Sequence, residues 1–117
     1  IKERLSKHYQ KWRENHTFKY VFARLSGNSE GVEITPFELW SIAKKQKMRC
    51  ALTGRKLTKK NISPDHIIHL KKGGKTNREN IRLVCKEANL ARHLLSDFEL
   101  LQLCKEIVAT LSPNTPQ

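Results

Sequence analysis

Long apolar runs are missing from this chain, and none reaches the roughly 20 residues needed to cross a bilayer as a helix. No signal peptide is visible, so the expected location is intracellular: cytoplasmic or nucleoid-associated. The first residue is Ile1 rather than Met, and an upstream segment is therefore expected. Cysteine is scarce, with Cys50, Cys85 and Cys104 at unrelated spacings. An odd count without a repeated pattern argues against a disulfide framework and fits a reducing compartment. Acidic residues are scarce too: 11 Asp and Glu stand against 23 Lys and Arg, for a formal charge of +12 and a pI of about 10.0. Such an excess matches nucleic-acid binders, with ribosomal packing and membrane-surface binding as competing readings of charge alone. There is no internal repeat and no low-complexity tract. The 117 residues fit one domain with a modest core.

What is present begins with helical patterning. Residues 1–25 read as helix, with Leu5, Tyr9 and Trp12 on one face and Phe18, Val21, Phe22 and Leu25 repeating the spacing. Ser26–Gly31 reads as a loop. Thr35-Pro36-Phe37-Glu38 is a helix start: Thr35 caps, Pro36 suits the first helical position and Glu38 completes a capping box. That helix is expected to reach about Lys47 and to bury Phe37, Trp40 and Ile42 or Ala43. A second capping box, Ser96-Asp97-Phe98-Glu99, opens a final helix. Its Leu100, Leu101, Cys104, Ile107, Val108 and Leu111 share one face, expected to join the core.

Between these helices the period changes. Asn61–Ile68 and Asn80–Cys85 read as strands, and Pro64 makes the first an edge strand. Ile81, Leu83 and Cys85 alternate with Arg82 and Val84, as for a strand with one face partly buried. The connection His69–Glu79 is too long for a tight hairpin. A helix follows Cys85, so the order is strand, long loop, strand, helix. On that helix Asn89 and His93 lie one turn apart on the same face. If the helix packs across the strands, this face meets the end of the first strand, where Asp65 and His66 sit. Adjacent strand residues point to opposite sides, so both face one metal only if the strand ends or kinks there. Asp65 and Asn89 offer the oxygen donors that hard cations take. His93 as a ligand widens the choice to softer metals. His66, titrating near neutrality, suits proton abstraction from water.

The segment SPDHIIHLKKGGKTNRENIRLVCKEANLARH, residues 63–93, resembles the HNH endonuclease motif, the ββα-metal nuclease finger. His66 matches its first histidine, Asn80 its central asparagine and Asn89 its third position, at separations of 14 and 23 residues from His66. CALTG, Cys50 to Gly54, is similar to the approach segment of phage and mobile-element members. The resemblance covers about residues 48–95. It implies an α+β fold, a ββα-metal finger flanked by N-terminal helices and a C-terminal helix. Residues 1–47 are then a helical extension, 48–111 the nuclease core with its last helix, and 112–117 a disordered tail. His66 is implied as general base, Asn80 as the residue that ties the loop and orients His66, and Asp65 and Asn89 as metal ligands. His93 occupies a further ligand position. Lys71, Lys72, Lys75, Arg78, Arg82 and Arg92 become candidate contacts to double-stranded DNA.

One divalent metal is implied, Mg or Mn from the oxygen donors, with Zn or Ni following if His93 binds. The expected activity is DNA phosphodiester hydrolysis leaving 5′-phosphate and 3′-hydroxyl ends. The alternative is a catalytically inactive DNA-binding adaptor with a vestigial centre. The chain departs from the family pattern at two points. Many members hold a structural zinc on two CxxC pairs, but here Thr53 and Ala88 stand where the second cysteines would be. Two thiols do not close a four-ligand site, so no structural zinc is expected and apolar contacts from the flanking helices are expected to close the core. His69 stands where proline is common, and its role as a substrate contact or packing residue is open.

Overall fold

The computed structural model describes residues 10–11, 16–28 and 31–112. The expected face of Leu5, Tyr9 and Trp12 lies outside the described residues, as does most of the expected tail. The first complete element is helix α1, Thr17–Asn28. It buries Phe18, Val21 and Leu25, an i, i+3, i+7 stripe. The helix runs through Ser26–Asn28, which the sequence suggested was loop. Ser26 Oγ bonds back to the Ala23 carbonyl at 3.1 Å, an interaction made within a continuing turn.

Helix α2, Pro36–Lys45, starts with the predicted capping box. Glu38 N–H donates to Thr35 Oγ1 at 3.1 Å, and Thr35 N–H donates to Glu38 Oε1 at 3.0 Å. Its buried side chains are Leu39, Trp40 and Ala43. Phe37, expected inside, is instead 46% exposed and rests against Trp40 at 5.5 Å between ring centroids. Two residues are about 200° of helix, so once Leu39 faces the core Phe37 cannot.

Strands β1, Ile62–His66, and β2, Ile81–Cys85, pair antiparallel with Ile62 opposite Cys85 and His66 opposite Ile81. A two-stranded sheet is marginal alone. Here α1 and α2 pack on it, as does helix α3, Lys86–Arg92. Val84 is consequently buried along with Ile81, Leu83 and Cys85, where the alternation had suggested one partly buried face. The side-chain amide of Gln46, just past α2, pairs with the β2 backbone: its oxygen accepts from Leu83 N–H at 3.0 Å and its nitrogen donates to the Leu83 carbonyl at 2.8 Å.

Helix α4, Asp97–Leu111, also has its predicted capping box. The expected burial of its apolar stripe does not occur. No residue of α4 is buried; Leu101, Ile107, Val108 and Leu111 are between 46% and 67% exposed, and Cys104 is exposed. The core is closed by α1, α2, the sheet, α3 and the segment carrying Cys50 and Leu57, without α4. No described helix is long and apolar enough to cross a membrane.

Candidate active site

His66 is the last residue of β1, and its ring is held by a residue ten positions later: Nε2 lies 2.9 Å from Thr76 Oγ1. Thr76 is 2% exposed. The loop that brings it there is tied by Asn80. The Asn80 amide nitrogen donates to the carbonyls of Ile68 at 3.0 Å and Lys75 at 2.8 Å, while its oxygen accepts from Ile68 N–H at 2.8 Å. A short 3-10 turn, Leu70–Lys72, follows His69, whose Nδ1 accepts from Lys71 N–H at 3.1 Å. Gly73 takes φ +91, open to glycine without strain. Gly74 is needed for space: a Cβ there would stand 1.7 Å from the Ile68 oxygen and 2.9 Å from Asn80 Nδ2. Burial holds the His66 pKa below its ordinary value, with the Asp65 charge acting the other way. Burial thus favours the neutral ring, which keeps a lone pair.

Asp65, the residue before His66, is 5% exposed and lines the same cavity. Each of its oxygens meets an arginine: Oδ1 accepts from Arg92 Nη1 and Oδ2 from Arg82 Nε at 2.8 Å. Arg92, 2% exposed, also donates to the carbonyls of His66, Ile67 and Leu95. Arg82 forks onto both oxygens of Asp97, at 2.8 and 2.6 Å. That fork is the first cause of the lowered pKa of Asp97 and the raised pKa of Arg82. Arg82 and Arg92, expected at the DNA surface, thus serve a buried charge network that joins β1 to the start of α4. Burial explains it: a carboxylate at this depth is stable only when paired and hydrogen-bonded.

Asn89 donates its amide to Ser63 Oγ at 3.0 Å, and Ser63 Oγ also accepts from Arg24 Nη2 at 3.0 Å. Arg24 comes from α1 and further donates to the Ile62 carbonyl at 3.2 Å. Asp65, His66, Asn89 and His93 all line one open cavity of about 540 Å³, together with Arg24, Ser63, His69 and Lys71. The strand–loop–strand–helix order brings these residues to the lining of one cavity, while Asn80, Lys72, Lys75, Arg78, Arg82 and Arg92 do not line it. His93 ends α3 with φ +48, its N–H donating to the Asn89 carbonyl at 3.1 Å. Lys71, Lys72 and Lys75 are exposed, with Lys72 Nζ 3.7 Å from Glu99. Arg78, exposed, stands between Glu79 at 3.0 Å and Glu38 at 3.8 Å. Ser63 and Thr76 were not picked out from the sequence. A hydroxyl inside a lysine-rich loop carries no one-dimensional sign of its partner, and Ser63 is marked only by its two-residue offset from Asp65.

Asp65 and Asn89 bring oxygen donors to the cavity. Among the described residues no three His, Cys, Asp or Glu side chains converge on a metal position, so a closed transition-metal cage does not fit. A hard cation that keeps most of its waters does. A carboxylate has about four lone-pair positions, and the arginines use one on each Asp65 oxygen. With its nitrogen committed to Ser63, the Asn89 amide keeps its oxygen as a donor.

The two buried cysteines do meet. Cys50 Sγ accepts from Cys85 N–H at 3.2 Å and Thr53 N–H at 3.4 Å, and Thr53 Oγ1 lies 3.9 Å from Cys85 Sγ. Burial pushes the Cys50 thiol up, but these hydrogen bonds outweigh it and bring the pKa down to about 7. Thr53 and the buried Ala88 occupy the places where further thiols would be needed.

The family model of the HNH endonuclease matches residues 48–94. Comparison with curated proteins returned no match. Among solved structures, the Type II-C Cas9 enzyme from Actinomyces naeslundii is similar at 21% identity with a TM-score of 0.52. The match covers 87% of this chain and 10% of that one, and it is a likeness of fold.

Proposed function

From the match of residues 48–94 to the family model of the HNH endonuclease we propose that the chain hydrolyses DNA phosphodiester bonds with His66 as general base. The observation that carries this reading is the cavity in which His66, Asp65, Asn89 and His93 come together beside Arg24 and Lys71. His66 takes a proton from a water. The resulting hydroxide attacks phosphorus, the bond from phosphorus to the 3′ oxygen breaks, and that oxygen takes up a proton. The ends are 5′-phosphate and 3′-hydroxyl. A divalent cation, Mg or Mn, held by Asp65 and Asn89 with His93 beside it, would supply the charge stabilisation that the leaving oxygen needs. Lys71, Lys72, Lys75 and Arg78 hold the phosphate backbone of double-stranded DNA, and the affinity falls steeply with salt. With one centre per chain, a monomer nicks one strand.

The test is relaxation and linearisation of supercoiled plasmid by wild type and His66→Ala in EDTA, Mg and Mn. Metal-dependent nicking that is lost in His66→Ala supports the reading. The engagement of both Asp65 oxygens by arginine favours a second reading, a DNA-binding adaptor with an inactive centre. Tight plasmid binding without cleavage in any metal would put that reading first.

A further inference from the structure

We propose that Asp97, the first residue of α4, is a positioning residue for metal binding: by holding the forked end of Arg82 it keeps the Asp65 carboxylate open to a divalent cation. The inference rests on Asp65 being a metal ligand. Asp97 lies beyond residues 48–94, the span that the family model matches. It stands inside the second capping box without serving it. Ser96 Oγ accepts from Glu99 N–H at 3.1 Å, and Glu99 Oε1 accepts from Ser96 N–H at 2.8 Å. The box is therefore complete without a carboxylate at 97. That carboxylate turns to Arg82 instead, whose Nη1 and Nη2 donate to its two oxygens at 2.8 and 2.6 Å.

Those two nitrogens are the ones that would otherwise close on Asp65. A guanidinium is a planar fork of donors that matches a carboxylate bidentately. Here only Nε of Arg82 reaches Asp65, at 2.8 Å on Oδ2, while Arg92 Nη1 takes one position on Oδ1. Each Asp65 oxygen so keeps one of its lone-pair positions. Released from Asp97, Arg82 can bring a second N–H onto Asp65 and fill one of them. Charge works in the same direction. Two guanidiniums are balanced by two carboxylates, since Asp97 Oδ1 also lies 3.8 Å from Arg92 Nε. Without Asp97 one positive charge is in excess beside the carboxylate that a cation must reach. The side chains of Arg82 and Arg92 are 14% and 2% exposed, so water and salt screen that excess little.

The test is titration of the full chain with Mn2+ alone, without DNA, followed by the electron paramagnetic resonance signal of the free ion. Wild type should bind Mn2+, and Asp65→Asn should abolish the binding. Asp97→Asn and Asp97→Ala should each raise Kd by about 10- to 100-fold, the usual cost of losing a group that supports a metal ligand. Both leave the capping box intact and change a half-exposed side chain, and a cooperative melting transition checks that they fold. In an Arg82→Met background, Asp97→Asn should change Kd by no more than about twofold, because the residue it acts through is gone. A merely structural role for Asp97 would not depend on Arg82 in this way. Unchanged Mn2+ affinity in a folded Asp97→Asn or Asp97→Ala would overturn the proposal. So would the same loss with and without Arg82. The metal reading fails separately, through a wild type that binds no Mn2+ or an Asp65→Asn that binds it as well as wild type, and either result overturns the proposal with it.

Discussion

Arg92 separates an inward from an outward reading of the same residue. In the fold its guanidinium is 2% exposed, paired with Asp65 and donating to three carbonyls, those of His66, Ile67 and Leu95. Arg92→Met keeps most of the apolar stem and removes the charge and every donor. Breaking a buried pair by deleting one partner costs about 3–5 kcal/mol, because the other charge is stranded. Arg82 still holds the second Asp65 oxygen, so the lower end, about 3 kcal/mol, is expected. Against a total stability of about 5–15 kcal/mol, that is a large fraction. At roughly 4–8 °C per kcal/mol for a small domain, the melting temperature should fall by about 12–24 °C. The assay is thermal and urea unfolding of wild type, Arg92→Met, Asp65→Asn and the double variant. The double variant should lose less than the sum, with a coupling of about 1–3 kcal/mol. A cost within about 0.5 kcal/mol, the usual result for a surface substitution, would refute the buried network. A salt slope of DNA binding smaller by about one charge would then return Arg92 to the phosphate surface.

Gly74→Ala should destabilise by about 1–3 kcal/mol or more, the range for overpacking, since its Cβ would meet the Ile68 carbonyl at 1.7 Å; an unchanged urea midpoint would show that the loop takes another path. Leu101→Lys on α4, 57% exposed, should shift stability by no more than about 0.5 kcal/mol, whereas Leu39→Ala, fully buried, should cost about 2–5 kcal/mol; comparable losses in urea unfolding would mean that α4 packs after all. Asp97 contributes to the pH dependence with a definite sign. The Arg82 hydrogen bond depresses its pKa below the ordinary 3.8, so its stabilisation is present above that pH and is lost as pH falls through the depressed value. The melting-temperature gap between wild type and Asp97→Asn should therefore close on acidification from pH 5 to pH 2, and a gap that stays constant would contradict the Arg82–Asp97 pairing.

Local chemistry was legible wherever a few neighbouring residues decide it. Both capping boxes were readable because their partners lie three residues apart, and the strand–loop–strand–helix order because its periods are short-range. The separation of His66 and Asn89 translates into a shared cavity, because spacing along two strands and a helix sets which ends meet. Three-dimensional packing decided the rest. Periodicity showed that α4 has an apolar stripe but not what lies opposite it, and among the described residues its Leu101, Ile107, Val108 and Leu111 stay exposed. Charge count made Arg82 and Arg92 look like DNA contacts, yet burial of Asp65 draws both guanidiniums inward. The partner of His66 is a threonine that only a closed loop, a glycine without a side chain and a contact from the N-terminal segment bring within 2.9 Å. One-dimensional sequence carries which groups are available and how far apart they lie along the chain. Which of them meet is set by what the core buries, because burial makes an unpaired charge or donor too costly to leave alone.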